Sequence, residues 1–335
     1  MPHVMHAIPR LSIVIPMTTG AGDLEDTLVS VLENRPDESE IVVVLARPYA
    51  DPWNLRDEVR FVQAPSNAGL VSCVNLGIAA SEAAVIHVLA AGWRATPGWT
   101  DSPLAILEAG EAGAVVPVVS DAGRAVSTGV RCSRGGRRLP QAEDAMAPCL
   151  EVGFWRADVL DMAGHGFSLV CGDDCADTDM AVTLDRMGCP VMVEPASQVE
   201  CGAEQRRTNP FLAGLHAERL FWRSRGGESL LSALPLHVVE MLRHSLARGP
   251  LGLVPALAGR LVGLMQFGEY RQRYQQLRDL AAAAAESGSG EERTIRIDGP
   301  HVAASRPKVA DGRGRPAVAD ADHAREVASP LRRSA

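Results

Sequence analysis

The stretch LSIVIPMTTGAGDLEDTLVSVLEN, residues 11–34, changes its apolar pattern once, and that change predicts the fold. Its first seven residues are almost all apolar and rich in isoleucine and valine, which is typical of a strand that is buried on both faces. From residue 22 the apolar residues recur at helical spacing, with Leu24, Leu28 and Val31 on one face. A buried strand followed directly by an amphipathic helix favours a fold built from strand–helix–strand units.

The same alternation continues through the first half of the chain. Strand-like segments recur at 40–46, 59–65, 83–91 and 112–120, and a helical pattern fills 67–81. Strands at this spacing are joined by right-handed crossovers, so we expect a largely parallel sheet covered by helices on both faces. The pattern is weaker later on. Residues 121–150 are predicted as a hairpin or loop excursion, and 209–286 as three or four helices, cut at Gly226–Gly227, Pro235 and Gly249–Pro250.

Composition limits the functions that are open to this chain. Acidic residues outnumber Lys and Arg by 41 to 33, and aromatic residues make up only 4%. Neither a basic field nor a stacking surface for bases is expected, so we predict no nucleic-acid partner. The one lysine, Lys308, excludes a P-loop lysine or a Schiff-base lysine from the rest of the chain. Seven cysteines without a Cys-x-x-Cys pair predict reduced thiols in the cytoplasm.

The C-terminal half raises the question of a membrane. No segment reaches the roughly 18–20 uninterrupted apolar residues that a spanning helix needs. The Leu- and Val-rich helices over 228–268 fit either a peripheral position at the inner membrane face or a packed helical appendage. Residues 288–335 lack aromatic residues and periodicity, and we predict a disordered tail there.

Four segments, taken in order, resemble the family 2 glycosyltransferases. They are the 11–34 stretch, VRFVQAPSNAGLVSCVNLGIAAS (59–81), VIHVLAAGWRATPGW (85–99), and VGFWRADVLDMAGHGF (152–167) with DTDMAVTLDRMGCPVMVEPAS (177–197). The resemblance implies an α/β GT-A domain, a Rossmann-like nucleotide-diphospho-sugar transferase, over 10–205. A helical extension over 206–287 and the tail over 288–335 would follow it. The implied activity is transfer of a sugar from a nucleotide sugar to an acceptor hydroxyl, in polysaccharide biosynthesis.

The resemblance also implies which residues form the site. Asp177 and Asp179 match the acidic motif that supplies the catalytic base, the group that takes the acceptor's proton. The alternative is that these carboxylates only enrich a helix N-terminus, where the helix dipole stabilises each by about 0.3–1 kcal/mol. The positions implied to bind the nucleotide sugar are Pro16, Thr18, Asn67, Gly69, Asn75 and Arg94.

The chain departs from the family where a metal is expected. In most members an Asp-x-Asp turn holds a divalent ion that offsets the charge of the leaving diphosphate. Here that turn matches Ala90-Ala91-Gly92, and the acid expected after the second strand matches Leu45-Ala46. We therefore predict no metal site and no certain cofactor. Arg94 is the cation proposed to contact the diphosphate instead, with a solvated loop arginine as the alternative.

Three hypotheses of function follow from the sequence. The chain is a metal-independent glycosyltransferase, a catalytically inactive pseudo-glycosyltransferase that acts as a scaffold for a partner glycosyltransferase, or a protein that binds a nucleotide sugar without reacting it. The predicted partners are thus a nucleotide sugar and either a membrane surface or a partner enzyme. A further cluster, Arg131, Arg134, Arg137 and Arg138, fits a phosphate or lipid contact, or simply a solvated loop.

Overall fold

A computed structural model describes residues 8–121, 124–140, 144–201, 209–225 and 230–291. The strands are β1 (Leu11–Met17), β2 (Ser39–Leu45), β3 (Arg60–Gln63), β4 (Val85–Leu89), β5 (Trp93–Ala95), β6 (Ala114–Asp121), β7 (Arg124–Ser127), β8 (Gly129–Cys132), β9 (Arg138–Pro140), β10 (Ala147–Pro148), β11 (Val152–Arg156) and β12 (Val191–Cys201). The helices are α1 (Ala21–Asn34), α2 (Leu70–Ala80), α3 (Asp101–Glu108), α4 (Ala157–Met162), α5 (Gly172–Arg186), α6 (Pro210–Arg223), α7 (Leu230–Leu246), α8 (Gly249–Leu264) and α9 (Phe267–Glu291).

The main sheet has the strand order β3-β2-β1-β4-β11-β6-β12-β5, with β7 paired to β6. β1 runs parallel to β2 on one side and to β4 on the other, while β11 is antiparallel to both of its neighbours. The parallel first half is as predicted, and the later strands make the sheet mixed. Because the strand order reverses at β1, the carboxyl ends of β1 and β4 form the edge at which ligands bind in open α/β sheets, called the crevice below.

The core explains why the first strands read as continuous apolar runs. β1 is buried along its whole length because helices cover both of its faces, and Trp99 and Trp155 are the largest fully buried side chains. His87 lies among them, with its Nδ1 donating to the Gly153 carbonyl at 3.0 Å and its Nε2 accepting from Trp99 at 3.1 Å. Burial lowers the pKa of His87 to about 3, so this histidine is a neutral part of the core.

The C-terminal helices differ from the prediction at one break. α7 runs through Pro235, so the break predicted there is wrong. Pro235 lies in the second turn of α7, so its ring and its missing N–H affect hydrogen bonding only in the first turn of the helix. The buried residues Ala233 and His237 hold the helix in place. An unpredicted break separates α8 from α9 at residues 265–266.

Two further predictions fall wholly or partly outside the described residues. Gly226–Gly227 lies outside them, so the break predicted there is not observed either way. Residues 288–291 of the predicted tail continue α9, and the rest of that tail, 292–335, lies outside the described residues.

Candidate functional site

Two hydroxyl groups at the carboxyl ends of adjacent strands have no hydrogen-bond partner. Thr19 follows β1 and Tyr49 follows β2, and the hydroxyl oxygen of each is buried and unpaired. A buried hydroxyl without a partner costs about 1–3 kcal/mol. Burial, together with the charges of Glu25 and Asp51, raises the pKa of Tyr49. Its hydroxyl therefore keeps its proton and can donate a hydrogen bond to a ligand.

Three of the residues predicted to bind the nucleotide sugar lie at this same edge of the sheet. Pro16 is buried in β1, and its carbonyl accepts the Ala91 N–H at 3.2 Å. Thr18 is half-buried directly after β1. Asn67 is exposed after β3, with a left-handed φ of 63°, and its N–H donates to the Ala46 carbonyl at 3.4 Å. The structure therefore brings Pro16, Thr18 and Asn67 to the crevice.

Gly69 lies at the start of α2, where it lets a carboxylate approach the helix. Asp173, from α5, accepts the N–H groups of Leu70 and Val71, each at 2.9 Å. A Cβ on Gly69 would lie only 2.8 Å from Asp173 Oδ2, so a larger residue would displace this carboxylate. The N-terminus of α2 thus already holds an anion from its own chain, which satisfies its first N–H groups.

The turn that matches Asp-x-Asp is closed by main-chain hydrogen bonds. Ala90, Ala91 and Gly92 are all buried. The Gly92 N–H donates to the Thr27 hydroxyl at 2.9 Å and to the Asp23 carbonyl at 3.1 Å. Gly92 has a φ of 96°, which favours glycine over aspartate.

These residues do not fit a divalent ion. The turn offers no side-chain oxygen, and no group of three His, Cys, Asp or Glu residues in the described part of the chain could hold a metal. Divalent cations of this kind bind several carboxylate or other oxygen ligands. The absence of a metal cofactor nevertheless stays a prediction.

Asp177 lies beside this turn. The N–H of Leu150 donates to Asp177 Oδ2 at 3.4 Å, and the carbonyl of the next residue, Glu151, accepts the Ala90 N–H at 2.8 Å. Asp177 is therefore joined to Ala90 through two consecutive residues of one segment. The carboxylate predicted as the base and the turn predicted to lie at the diphosphate are thus connected by two hydrogen bonds to one short segment, while their roles stay predictions.

Every oxygen of Asp177 is already engaged. The side chain is 1% exposed, and Arg138 on β9 donates Nε to both of its oxygens at 3.0 Å and Nη2 to Oδ2 at 2.6 Å. The Thr178 hydroxyl donates to Oδ1 at 3.0 Å. A carboxylate held in this way can take a proton only after Arg138 releases one oxygen.

Comparison with known proteins gives likeness of structure only. No family model and no curated protein matches the chain. Residues 1–349 of S. aureus TarS match with a TM-score of 0.54 and 13% identity, covering 86% of this chain and 94% of that one. GalNAc-T7 with UDP, GalNAc and Mn²⁺ matches with a TM-score of 0.50 and 14% identity, covering 65% of this chain and 48% of that one. The mannosyltransferase PcManGT from Pyrobaculum calidifontis, in complex with GDP-Man and Mn²⁺, matches with a TM-score of 0.48 and 17% identity. The match covers 86% of this chain and 89% of that one.

The chain has the GT-A fold. The predicted fold class is confirmed, whereas membership of family 2 stays a prediction because identities this low show the fold alone.

Arg94 lies on β5 of the GT-A sheet, at its edge. Its Nη2 donates to Asp26 on α1 at 2.6 Å, and both side chains are about half exposed, at 48% and 59%. The hydrogen bond from Arg94 to Asp26, and then the charge of Asp26, raise the pKa of Arg94. Exposed ion pairs of this kind are weak, so Asp26 does not prevent Arg94 from contacting a phosphate.

Asn75 points toward a loop of the GT-A domain. Its Nδ2 donates to the Phe167 carbonyl at 2.8 Å, and its Oδ1 accepts the Phe167 N–H at 2.8 Å. Both polar atoms of the side chain are thus used to join α2 to the segment before α5. Its predicted contact with the nucleotide sugar would require these bonds to open.

Asp179 faces a different neighbourhood from Asp177. Two residues along a helix are about 200° apart, so the two carboxylates point to different sides of α5. Arg223 donates Nε to Oδ1 and Nη2 to Oδ2, both at 2.9 Å, and Arg273 donates Nη2 to Oδ2 at 3.2 Å. Burial acts to raise the pKa of Asp179, but the two guanidinium groups outweigh it and hold that pKa below its usual range. The structure does not bring the two predicted catalytic acids to one point.

Sequence reasoning missed the partners of these acids. Arg138, Arg223 and Arg273 lie 39, 44 and 94 residues from the carboxylates they hold, and no local pattern marks them. Tyr49 could have been found as a polar residue that follows the second strand. Of the arginine cluster, Arg131 pairs with Asp144, and Arg137 lies 3.2 Å from Glu240.

Proposed function

We propose that this protein is a glycosyltransferase that binds a nucleotide sugar in the crevice without a divalent ion. The observation that carries the proposal is the position of Asp177, joined through Leu150–Glu151 to the Ala90–Gly92 turn of a GT-A sheet. The unpaired hydroxyls of Thr19 and Tyr49 support a polar ligand at the neighbouring strand ends. GalNAc-T7, whose structure is similar, binds UDP, which supports a nucleotide as that ligand.

The charge of the leaving diphosphate needs a substitute for the metal. Arg94 is the proposed group, because a guanidinium binds phosphate oxygens in a bidentate way. Its ion pair with Asp26 is exposed and therefore weak, so a phosphate can replace that carboxylate at little cost.

In the proposed reaction Asp177 acts as the general base. It takes the proton of the acceptor hydroxyl while that oxygen bonds to the anomeric carbon. The bond between this carbon and the diphosphate oxygen breaks, and its electron pair leaves with the nucleoside diphosphate. Arg138, whose side chain is 28% exposed, must first release one Asp177 oxygen.

A second candidate is a protein that binds the nucleotide sugar and does not turn it over. It is favoured by the bonds that hold Asp177, since a carboxylate in a bidentate pair with an arginine is a poor proton acceptor. Such a chain would act as a scaffold for a partner glycosyltransferase. Turnover by the purified protein separates the two candidates.

Donor binding is tested by calorimetry in the presence of a chelator. UDP-, GDP- and dTDP-sugars are titrated into the wild type and into Thr19→Val and Tyr49→Phe, with Tyr274→Phe on α9 as the matched control. Each crevice variant should weaken binding about 2- to 10-fold, the value of one hydrogen bond, and the control should not. Binding of no donor, or equal loss in all three variants, would contradict the proposal.

An anionic membrane surface is the partner that the C-terminal helices favour. Both α7 and α8 expose apolar side chains, among them Leu231, Leu242 and Leu246 on α7 and Leu251, Val254 and Leu261 on α8. Glu240 is the one acid between residues 230 and 265, and Arg137 neutralises it. No single described helix is long and apolar enough to cross a bilayer, and only Leu251–Leu264 with Phe267–Ala283, bent by 64°, pass that test as a pair. An apolar face with basic residues and no free acid is typical of interfacial helices.

Co-sedimentation with phosphatidylglycerol vesicles tests this partner. The wild type should bind, and Val254→Glu on α8 should weaken binding roughly tenfold or more, because one buried valine is worth about 1.5–3 kcal/mol. Val29→Glu, at an exposed valine of α1, is the matched control and should bind as the wild type does. A wild type that stays in the supernatant would rule out the membrane and leave a protein partner.

A further inference from the structure

A cavity apart from the crevice lies between the β8–β9 turn and helices α5, α6, α7 and α8. Its volume is about 330 Å³, at the small end of ligand pockets, which span about 300–1,000 Å³. Four arginines line it, Arg137, Arg138, Arg248 and Arg260, against two carboxylates, Asp174 and Glu240. The walls are thus rich in guanidinium groups.

Three of these arginines have a carboxylate partner. Arg137 pairs with Glu240, Arg138 with Asp177, and Arg260 with Glu218. Asp174 is engaged by His216 at 3.0 Å. Arg248 differs, because its contacts within the described residues are to a histidine ring and not to an acid.

His244 lies between two guanidinium groups. Arg248 approaches its Nε2 from Nη2 at 2.9 Å and from Nε at 3.2 Å, and Arg260 approaches its Nδ1 from Nη2 at 3.1 Å. Burial and the charges of these two arginines lower the pKa of His244 to about 4, so the ring is neutral. A neutral imidazole has one lone pair and one N–H, so one of the two arginines meets a donor instead of an acceptor.

One more donor at the pocket also lacks an acceptor. Arg260 is 5% exposed, and its Nε is wholly buried without a hydrogen-bond partner. A buried charged donor left unpaired is costly, and two lie here, at the His244 ring and at Arg260 Nε. The cluster is therefore short of hydrogen-bond acceptors.

We propose that this pocket binds a phosphate group, held mainly by Arg248 and Arg260, as a site separate from the nucleotide-sugar crevice. A tetrahedral oxyanion accepts hydrogen bonds from several directions, which suits the guanidinium groups of Arg248, directly before α8, and Arg260, within α8. The site itself does not depend on the proposed transfer reaction. Arg138 both lines the pocket and holds Asp177, so where that reaction holds, the bound phosphate lies one side chain from the base.

Inorganic phosphate is the first probe, titrated by calorimetry into the full chain. Arg248→Gln should weaken its binding roughly tenfold or more, and Arg248→Lys should weaken it less, because lysine keeps the charge without the planar fork. Arg243→Gln, at an exposed arginine of α7 that does not line the pocket, is the control and should bind normally. Unchanged near-ultraviolet circular dichroism shows that each variant is folded.

A second readout reports on the pocket directly. Saturating phosphate should move the NMR titration of the His244 ring to higher pH in the wild type and not in Arg248→Gln. Donor binding in chelator should be the same in Arg248→Gln as in the wild type, so failure here is distinguishable from failure of the proposed function.

Two competition experiments identify the source of the phosphate. Displacement of inorganic phosphate by glucose 1-phosphate supports a soluble phosphate ester, and displacement by phosphatidic acid vesicles supports a lipid. No phosphate binding at tens of millimolar, or equal affinity in Arg248→Gln and the wild type, would overturn the proposal.

Discussion

Replacing Asp179 by alanine is expected to lower the free energy of unfolding by about 3–5 kcal/mol, the range for breaking a buried ion pair. The substitution leaves the buried side chains of Arg223 and Arg273 without their shared carboxylate. Both arginines are less than one-tenth exposed, so water does not solvate them in its place. Urea denaturation of the wild type and the variant measures the loss.

Asp185→Ala provides the matched control for this substitution. Asp185 is exposed on the same helix, and its loss should change the free energy of unfolding by less than about 0.5 kcal/mol. An equally small change for Asp179→Ala would mean that the two guanidinium groups are solvated or paired in another way.

The lowered pKa of Asp179 predicts that the stability of the protein depends on pH. Its folded pKa lies below the unfolded value of about 3.9, so its contribution is fully present above pH 3.9 and is lost as pH falls through the folded pKa. The wild type should therefore lose unfolding free energy below about pH 4 more steeply than Asp179→Asn does. Parallel curves for the two proteins would contradict the lowered pKa.

Replacing Asp177 by asparagine is expected to reduce sugar transfer about 10²- to 10⁴-fold, the usual contribution of a general base. The amide cannot take the acceptor's proton, although it is nearly the same size as the carboxylate. The affinity for the donor should stay unchanged, because Asp177 is proposed to act on the acceptor. Product formation with a chosen donor and calorimetry with the same donor give both quantities.

The outcome of this experiment decides between the two proposed functions. Asp185→Asn, on the exposed side of α5, should transfer sugar at the rate of the wild type. Full activity of Asp177→Asn would exclude Asp177 as the base. A wild type that binds a donor and transfers to no acceptor would favour the scaffold, in which Arg138 holds Asp177 permanently.

Local pattern was sufficient for the framework of the fold. β1 is observed over Leu11–Met17 as the apolar run predicts, and α1 over Ala21–Asn34 begins one residue before its prediction. These elements are long and strongly periodic, so their apolar residues alone define them. The stretch 121–150 instead contains the short strands β7 to β10, of two to four residues each, which are held by their pairing partners and carry no periodic signal.

The candidate site was predictable only in part. Asp173, Asp174, Asp177 and Asp179 appear in the sequence as one acidic cluster. In the structure each has its own partner, because successive residues of α5 point in different directions and meet α2, α6, β9 and α9 in turn. The partners come from distant parts of the chain, so the sequence gives the acids and not what they bind.

The affinity for a nucleotide sugar with and without Mn²⁺ tests most directly whether this GT-A crevice works without a divalent ion. We expect the Kd measured in chelator to equal the Kd in saturating Mn²⁺, since Ala90–Gly92 offers no side-chain ligand. Binding that is tenfold or more tighter with Mn²⁺, or that disappears in chelator, would contradict this conclusion.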